Sequence, residues 1–364
     1  MKRRFFLLGL AALPAWALNA LRSDHQGKAV AFAPVVPGRI LAFPGDHGAH
    51  PDFRTEWWYA TGWLNLPDGQ PLGFQTTFFR VRTGIGEDNP SAFAPRQLIL
   101  AHAAIADPKL GRLRHDQRSA RAGLGRAGFA TGRTEVWVGD WRLTQDGDRY
   151  QADVTGEDFA YSLTLLAAGP PMLNGEGGFS AKAPDPVHAS YYYSRPQLAV
   201  RGNVTLAGRQ HEVTGGAWLD HEWSSELLPA DAEGWDWVGL NLDDGGALMA
   251  FRLRDRQGGP LWAAASLRQP LGPLLSLPPE AVVFSPLRDW RSPRTGVRYP
   301  VEWQLRIGDR EIHLQPLIDD QELDSRRSTG AIYWEGAVRA SENGRPIGRG
   351  YLEMTGYGEK LRIG

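Results

Sequence analysis

The chain contains no cysteine, which removes disulfides, zinc–thiolate sites and thiol nucleophiles from consideration. It also lacks a charge surplus: 40 Lys and Arg stand against 41 Asp and Glu, for a formal net charge of −1. A nucleic-acid or anionic-membrane partner would call for a basic excess, so neither is expected. There is no phosphate-binding glycine loop, no G-x-S-x-G elbow and no His-Glu-x-x-His pair. Beyond the N-terminus no apolar run is long enough to span a bilayer, and capped helical periodicity is scarce. What the 364 residues do hold is 14 Trp, 43 Gly and 26 Pro, a composition that favours strands, tight turns and aromatic surfaces.

Residues 1–20 read as a targeting segment. MKRRFFLLGLAALPAWA has a basic start, a short apolar run and small residues at Ala15 and Ala17, as a signal peptide does. Arg3-Arg4-Phe5-Phe6-Leu7 fits the core of a twin-arginine signal, and an ordinary secretory signal is the alternative. Either route predicts export across a bacterial inner membrane, to the periplasm or beyond, with cleavage after Ala17 or Ala20; the twin-arginine reading makes that export machinery a partner.

From Phe43 onward, short alternating or aromatic runs are separated by turn signals such as Pro67-Asp68-Gly69, Asp244-Gly245-Gly246 and Asn343-Gly344. Spacing of this kind predicts an all-β barrel or sandwich. The chain also echoes itself. TGWLNLPDGQPLGFQTTFFRVR from Thr61 resembles VGLNLDDGGALMAFRLR from Val238, and AHAAIAD with a later DWRL resembles LWAAASLR with a later EWQL. GNVTLAGRQHEVTGGAW from Gly202 resembles GAVRASENGRPIGRGYLEMTGY from Gly336. Four echoes in one order predict two related antiparallel β-barrels, over 40–228 and 232–364, each closed to remove its sheet edges. Two unrelated sandwiches sharing hairpin chemistry are the competing reading. The Gly- and Pro-rich stretches 170–186 and 268–279 are expected to be irregular surface segments able to cover an opening.

One stretch stands out for chemistry. Gly215 to Ser224 reads GGAWLDHEWS, with Asp220, His221 and Glu222 in succession between Trp218 and Trp223. On a strand, Leu219, His221 and Trp223 share one face and Trp218, Asp220 and Glu222 the other. Histidine titrates near neutrality and is a usable acid or base, although a buried structural histidine is the plainer account. Around Glu56, the run EWWYATGW places Glu56 and Trp58 on one face and Trp57, Tyr59 and Trp63 on the other. A carboxylate among tryptophans needs a partner or a raised pKa. Trp235 and Trp237 share a face, and Tyr191, Tyr192 and Tyr193 offer phenols, with Tyr191 and Tyr193 on one side. Asp46, His47 and His50 lie close in sequence, but His-x-x-His on a loop without a further ligand is weak; no metal is expected.

Taken together, HPDFRTEWWYATGWL, GFQTTFFR, ASYYYS, AWLDHEWS, GWDWVGLNLDDG and EMTGY resemble the AttH/CrtC-like family, the carotenoid 1,2-hydratase (hydroxyneurosporene synthase) group and its lipocalin-like relatives. The resemblance spans nearly all of the chain after the signal. It implies two tandem lipocalin-like barrels with a ligand pocket near their junction, and suggests a hydratase (a hydro-lyase) or an isomerase needing no cofactor. Such chemistry takes an acid that protonates an alkene carbon, π-faces that hold the cation and a water delivered afterwards. The candidate catalytic residues are His221, Asp220 and Glu222. The candidate ligand-binding residues are Trp223, Trp235, Trp237, Tyr191, Tyr193, Glu56 and Trp58, around a lipophilic, isoprenoid-like molecule. A non-catalytic binder of an apolar ligand and a carbohydrate-binding or carbohydrate-active protein remain open. The last predicts exposed planar aromatic strips. The sequence sets no oligomeric state.

Overall fold

The computed structural model describes residues 30–270, 272–358 and 360; the expected signal segment lies outside them. Among the described residues, helix is limited to two three-residue 3-10 turns, Gly45–His47 and Pro279–Ala281. The rest of the regular structure is antiparallel strand, in two sheets.

The first sheet has 13 strands: β1 (Thr55–Asn65), β2 (Pro71–Arg82), β3 (Gln97–Asp107), β4 (Arg112–Arg121), β5 (Ala127–Phe129), β6 (Glu135–Val138), β7 (Trp141–Asp146), β8 (Arg149–Thr155), β9 (Phe159–Leu166), β10 (Met172–Leu173), β11 (Phe179–Ala181), β12 (Ala189–Leu206) and β13 (Arg209–Ser224). The second has ten: β14 (Gly234–Leu242), β15 (Ala247–Arg254), β16 (Pro260–Arg268), β17 (Leu274–Leu277), β18 (Val282–Arg291), β19 (Arg298–Ile307), β20 (Arg310–Pro316), β21 (Glu322–Asp324), β22 (Ile332–Glu342) and β23 (Arg345–Met354).

The two sheets share a wiring rule. In the first, the order runs β4-β3-β2-β1-β13-β12-β9-β8-β7-β6-β5; in the second, β17-β16-β15-β14-β23-β22-β20-β19-β18. Each thus pairs its first strand with its last, the pattern that curls a meander toward a barrel. The first sheet is nearly closed, with its end strands β4 and β5 in contact. Each fills its own interior: Trp58, Phe74, Trp141, Leu163 and Leu219 in the first, Val301, Trp303, Leu314, Trp334 and Leu352 in the second. The echo between residues 61–82 and 238–254 falls on the β1–β2 and β14–β15 hairpins, and the C-terminal echo on β12–β13 and β22–β23. The DWRL/EWQL echo is one strand out of step. DWRL lies on β7 and EWQL on β19, whereas β19 occupies the place of β8 when both sheets are counted from β12 and β22.

A third apolar cluster joins the two sheets. Tyr59, Trp63, Tyr192 and Trp218 from the first pack with Trp237, Met249, Phe251 and Tyr351 from the second. Most of β1 and the C-terminal half of β13 are therefore buried on both faces, one toward the barrel interior and one toward the neighbouring sheet. The segment 170–186 is more ordered than its composition suggests. It carries β10 and β11, both paired with β12, and buries Met172, Asn174, Ser180 and Lys182.

Candidate functional site

Strand alternation splits the Asp-His-Glu run between two surroundings. Register places Trp58 opposite His221 and Glu56 opposite Trp223 on β1, with Tyr193 and Tyr191 opposite the same two residues on β12. Those six side chains share one face of the sheet. Asp220 and Glu222 lie on the other, beside Tyr59, Trp57 and Tyr192.

On the inner face His221 is fully buried. Its Nε2 lies 2.9 Å from Glu56 Oε1, and its Nδ1 lies 3.2 Å from the Tyr193 hydroxyl, which sits 2.8 Å from His47 Nδ1. Glu56 also takes a 2.7 Å hydrogen bond from Arg80 Nε and lies 2.7 Å from His50 Nδ1, while His50 Nε2 reaches Asp46 at 3.0 Å. Trp223 stacks on His50 at 3.7 Å between ring centroids, and Trp58 on His221 at 4.7 Å. Burial would raise the Glu56 carboxyl, but Arg80 and the two imidazoles outweigh it and hold the group well below the usual range. Burial lowers His221, against the pull of Glu56. His50 is raised, because its hydrogen bonds to Asp46 and Glu56 overcome its burial.

His50, Glu56 and His221 offer three donor atoms within 4.8 Å of one another. They are the residues that could hold a metal, but Glu56 Oε1 already bridges both imidazoles and its other oxygen carries Arg80. A cation would have to displace that set, so the cluster reads as a closed structural network.

The other face opens on a pocket with about 80 Å³ of enclosed space, lined from both sheets. Its walls include Trp57, Tyr59, Phe79, Tyr192, Asp220 and Glu222 from the first sheet and Trp235, Trp237, Phe251, Tyr333, Glu335 and Glu353 from the second. Lys182 and the connecting residues Leu227 and Leu228 also line it.

The carboxyls here differ from one another. Asp220 accepts from Ser194 Oγ (2.5 Å) and Trp218 Nε1 (2.6 Å) on one oxygen and from the Tyr192 hydroxyl (2.7 Å) on the other. Even so, burial pushes it up to about 7. Glu222 is paired with Lys182 at 2.9 Å and accepts from Ser190. Glu353 accepts from Trp235 Nε1 at 3.1 Å. It keeps some accessible surface because it lines the pocket, yet the protein around it desolvates its charge and pushes it up to about 8. Glu335 is 2% exposed. Burial, and then the neighbouring Glu353, drive it well above the usual carboxyl value, although Tyr59 and Tyr333 beside it lower it somewhat. Neither its Oε1 nor the Tyr59 hydroxyl makes a hydrogen bond of good geometry, although the two groups lie close enough to act on each other.

Of the residues singled out in sequence, Asp220, Glu222, Trp235 and Trp237 meet at the pocket. His221, Trp223, Tyr191, Tyr193, Glu56 and Trp58 do not; they face the other way. The expected cage of His221 and Trp223 with Trp235 and Trp237 is therefore corrected: β13 stands between its halves. Sequence reasoning missed Glu335, Glu353, Lys182 and Tyr59 as pocket groups. Tyr192 stood in the tyrosine run, on the face opposite its two neighbours.

A family model for AttH-like proteins matches residues 34–357. The chain belongs to the AttH-like family. An AttH-like protein from Nitrosomonas europaea is 51% identical, with a TM-score of 0.84 over 90% of this chain and all (100%) of that one. Kievitone hydratase from Nectria haematococca shares the fold at 15% identity, with a TM-score of 0.66 over 90% of this chain and 96% of that one. CghA does so at 14%, with a TM-score of 0.53 over 92% and 97%. No curated protein sequence matches the chain. This AttH-like protein is thus a two-sheet, lipocalin-like β-protein that shares its fold with kievitone hydratase.

Proposed function

We propose that this AttH-like protein binds a lipophilic small molecule in the pocket between its sheets and acts on it as a hydratase or isomerase of an isoprenoid-like alkene. One observation carries the reading: carboxyl groups held near or above neutrality share an aromatic-walled pocket with Trp57, Trp235 and Trp237. A carboxylic acid kept neutral by an apolar site can donate a proton at physiological pH. Indole faces attract the carbocation that protonation leaves, and a pocket poor in water protects it from side reactions. Water then adds to give the alcohol, or a neighbouring carbon loses a proton to give the shifted alkene. The fold shared with kievitone hydratase is compatible with this chemistry, although fold alone does not select it. Enclosed rather than strip-like tryptophans favour an apolar ligand over a carbohydrate.

The reading includes export through the twin-arginine route, which Arg3→Lys with Arg4→Lys should block in cell fractionation. For the chemistry, the apolar molecules retained by protein purified from the periplasm are identified by mass spectrometry and then incubated with it in deuterium oxide. Deuterium at carbon in a hydrated or isomerised product supports catalysis. A retained lipid that comes through unchanged leaves the protein a non-catalytic binder.

A further inference from the structure

The geometry points to Glu335 and Glu353 as a carboxyl pair that holds one acidic proton between its members and gives it up when positive charge forms in the pocket. This rests on the hydratase or isomerase reading for the direction of transfer. The pair itself rests on placement. Glu335 on β22 and Glu353 on β23 are directly opposite one another in the antiparallel register, and both line the pocket. Like charges directly opposite on paired strands repel, and in a desolvated site neighbouring carboxyls hold a proton between them rather than both ionising. Among the described residues neither takes part in an ion pair; Lys182, the cation that lines the pocket, is spent on Glu222.

The competing donors are less suited. Both oxygens of Asp220 are occupied, by Ser194, Trp218 and Tyr192 together, so it positions the Tyr192 hydroxyl, which in turn accepts from Trp237 Nε1 at 3.0 Å. Glu222 is a salt-bridged carboxylate, and His221 faces the barrel interior. Glu353 is held on one oxygen by Trp235, while Glu335 has the Tyr59 and Tyr333 hydroxyls beside it, and its Oε1 meets neither in good hydrogen-bond geometry. Both carboxyls border the pocket, so the proton they share is placed to pass to a ligand there.

The step balances simply. The π electrons of the alkene form a C–H bond with the shared proton, whose O–H bond breaks and leaves its electron pair on the carboxylates. The cation then rests over Trp235 and Trp237 opposite a newly negative pair. Water attacks the carbon and its surplus proton returns to the pair; in an isomerisation the returning proton comes from the adjacent carbon.

Because the natural ligand is unidentified, the test uses a permanent cation, benzyltrimethylammonium, with the full-length mature protein at pH 7. Calorimetry in two buffers of different ionisation enthalpy counts the protons exchanged on binding. Wild type should release close to one proton per cation bound. The infrared carbonyl stretch of a protonated carboxylic acid should weaken in step, and that measurement requires no variant. Glu335→Gln and Glu353→Gln should each abolish the release and weaken binding about tenfold or more. Binding without release, no saturable binding, or release lost only in Asp220→Asn would each overturn the pair. Failure of the catalytic reading looks different: proton release would persist while the retained ligand is never converted.

Discussion

Removing the His221 ring takes one hydrogen bond from Glu56 and one neighbour from Tyr193, and opens a hole between Trp58 and Trp223. None of those groups lines the pocket. His221→Ala should therefore destabilise the fold by about 3 kcal/mol, the scale for breaking into a buried polar network, and leave binding of a cationic or apolar probe unchanged. Trp235→Ala should do the reverse. It removes an indole face and the Glu353 hydrogen bond, costing about tenfold or more in affinity with a smaller loss of stability. Urea denaturation beside binding calorimetry on both variants checks the contrast. Equal effects of the two substitutions on binding would contradict the separation of the two faces.

At the scale of strands, the pocket exists because the two sheets dock closely, and glycine permits that approach. A Cβ at Gly73 on β2 would lie 2.6 Å from the Tyr351 hydroxyl and 2.8 Å from the Ala337 Cβ, both on the second sheet. Gly73→Val should cost about 2 kcal/mol by overpacking and should disturb probe binding although it touches no ligand-contacting group. An unchanged unfolding midpoint would mean that the sheets can part there at little cost. Register explains what could and could not be read from sequence. Alternation along β13 correctly separated Leu219, His221 and Trp223 from Trp218, Asp220 and Glu222. It could not say which set meets the second sheet, because the C-terminal half of β13 is buried on both faces and both faces carry polar groups, so neither is marked as the solvent side. The Glu335–Glu353 pairing was hidden for a sharper reason. Counted inward from the Asn343-Gly344 turn, Glu342 opposite Arg345 and Ser341 opposite Pro346 would set Glu335 against Leu352. A β-bulge after Ala340 slips the ladder by one residue and brings Glu353 opposite instead. A slip of that kind moves every side chain beyond it to the other face, and nothing local in GAVRASENGRPIGRGYLEM announces it.

For the molecule as a whole, the self-echo was legible because both sheets use the same hairpins in the same order, whereas the docking that creates the pocket depends on contacts far apart in sequence. That docking buries groups that titrate in opposite senses, and stability should record the balance. His47 and His102 are held neutral by burial, at about 4 and about 3, with lesser contributions from neighbouring charges. Below their ordinary 6.5 the unfolded chain binds protons that the fold refuses, so these two histidines take away stability as pH falls. Glu353, Glu335 and Asp220 act the other way. Their folded values lie above the unfolded ones, so what they contribute is fully present below about 4 and is lost as pH rises through about 7 for Asp220 and about 8 for Glu353. Between pH 5 and 7 the two sets oppose each other, and each proton of imbalance is worth about 1.4 kcal/mol per pH unit. Below about 4.5 the raised carboxyls stop compensating, and Glu56 must also be protonated away from Arg80. Above 7 the histidines fall silent and the carboxyls alone set the slope. Urea midpoints should therefore be nearly flat from pH 5 to 7, fall toward pH 4, and fall again toward pH 9 by an amount on the order of a few kcal/mol. In the double variant Glu335→Gln, Glu353→Gln the acid limb should remain and most of the alkaline limb should vanish. An alkaline decline that persists undiminished in that variant would mean the paired carboxyls are already ionised in the folded protein at neutral pH.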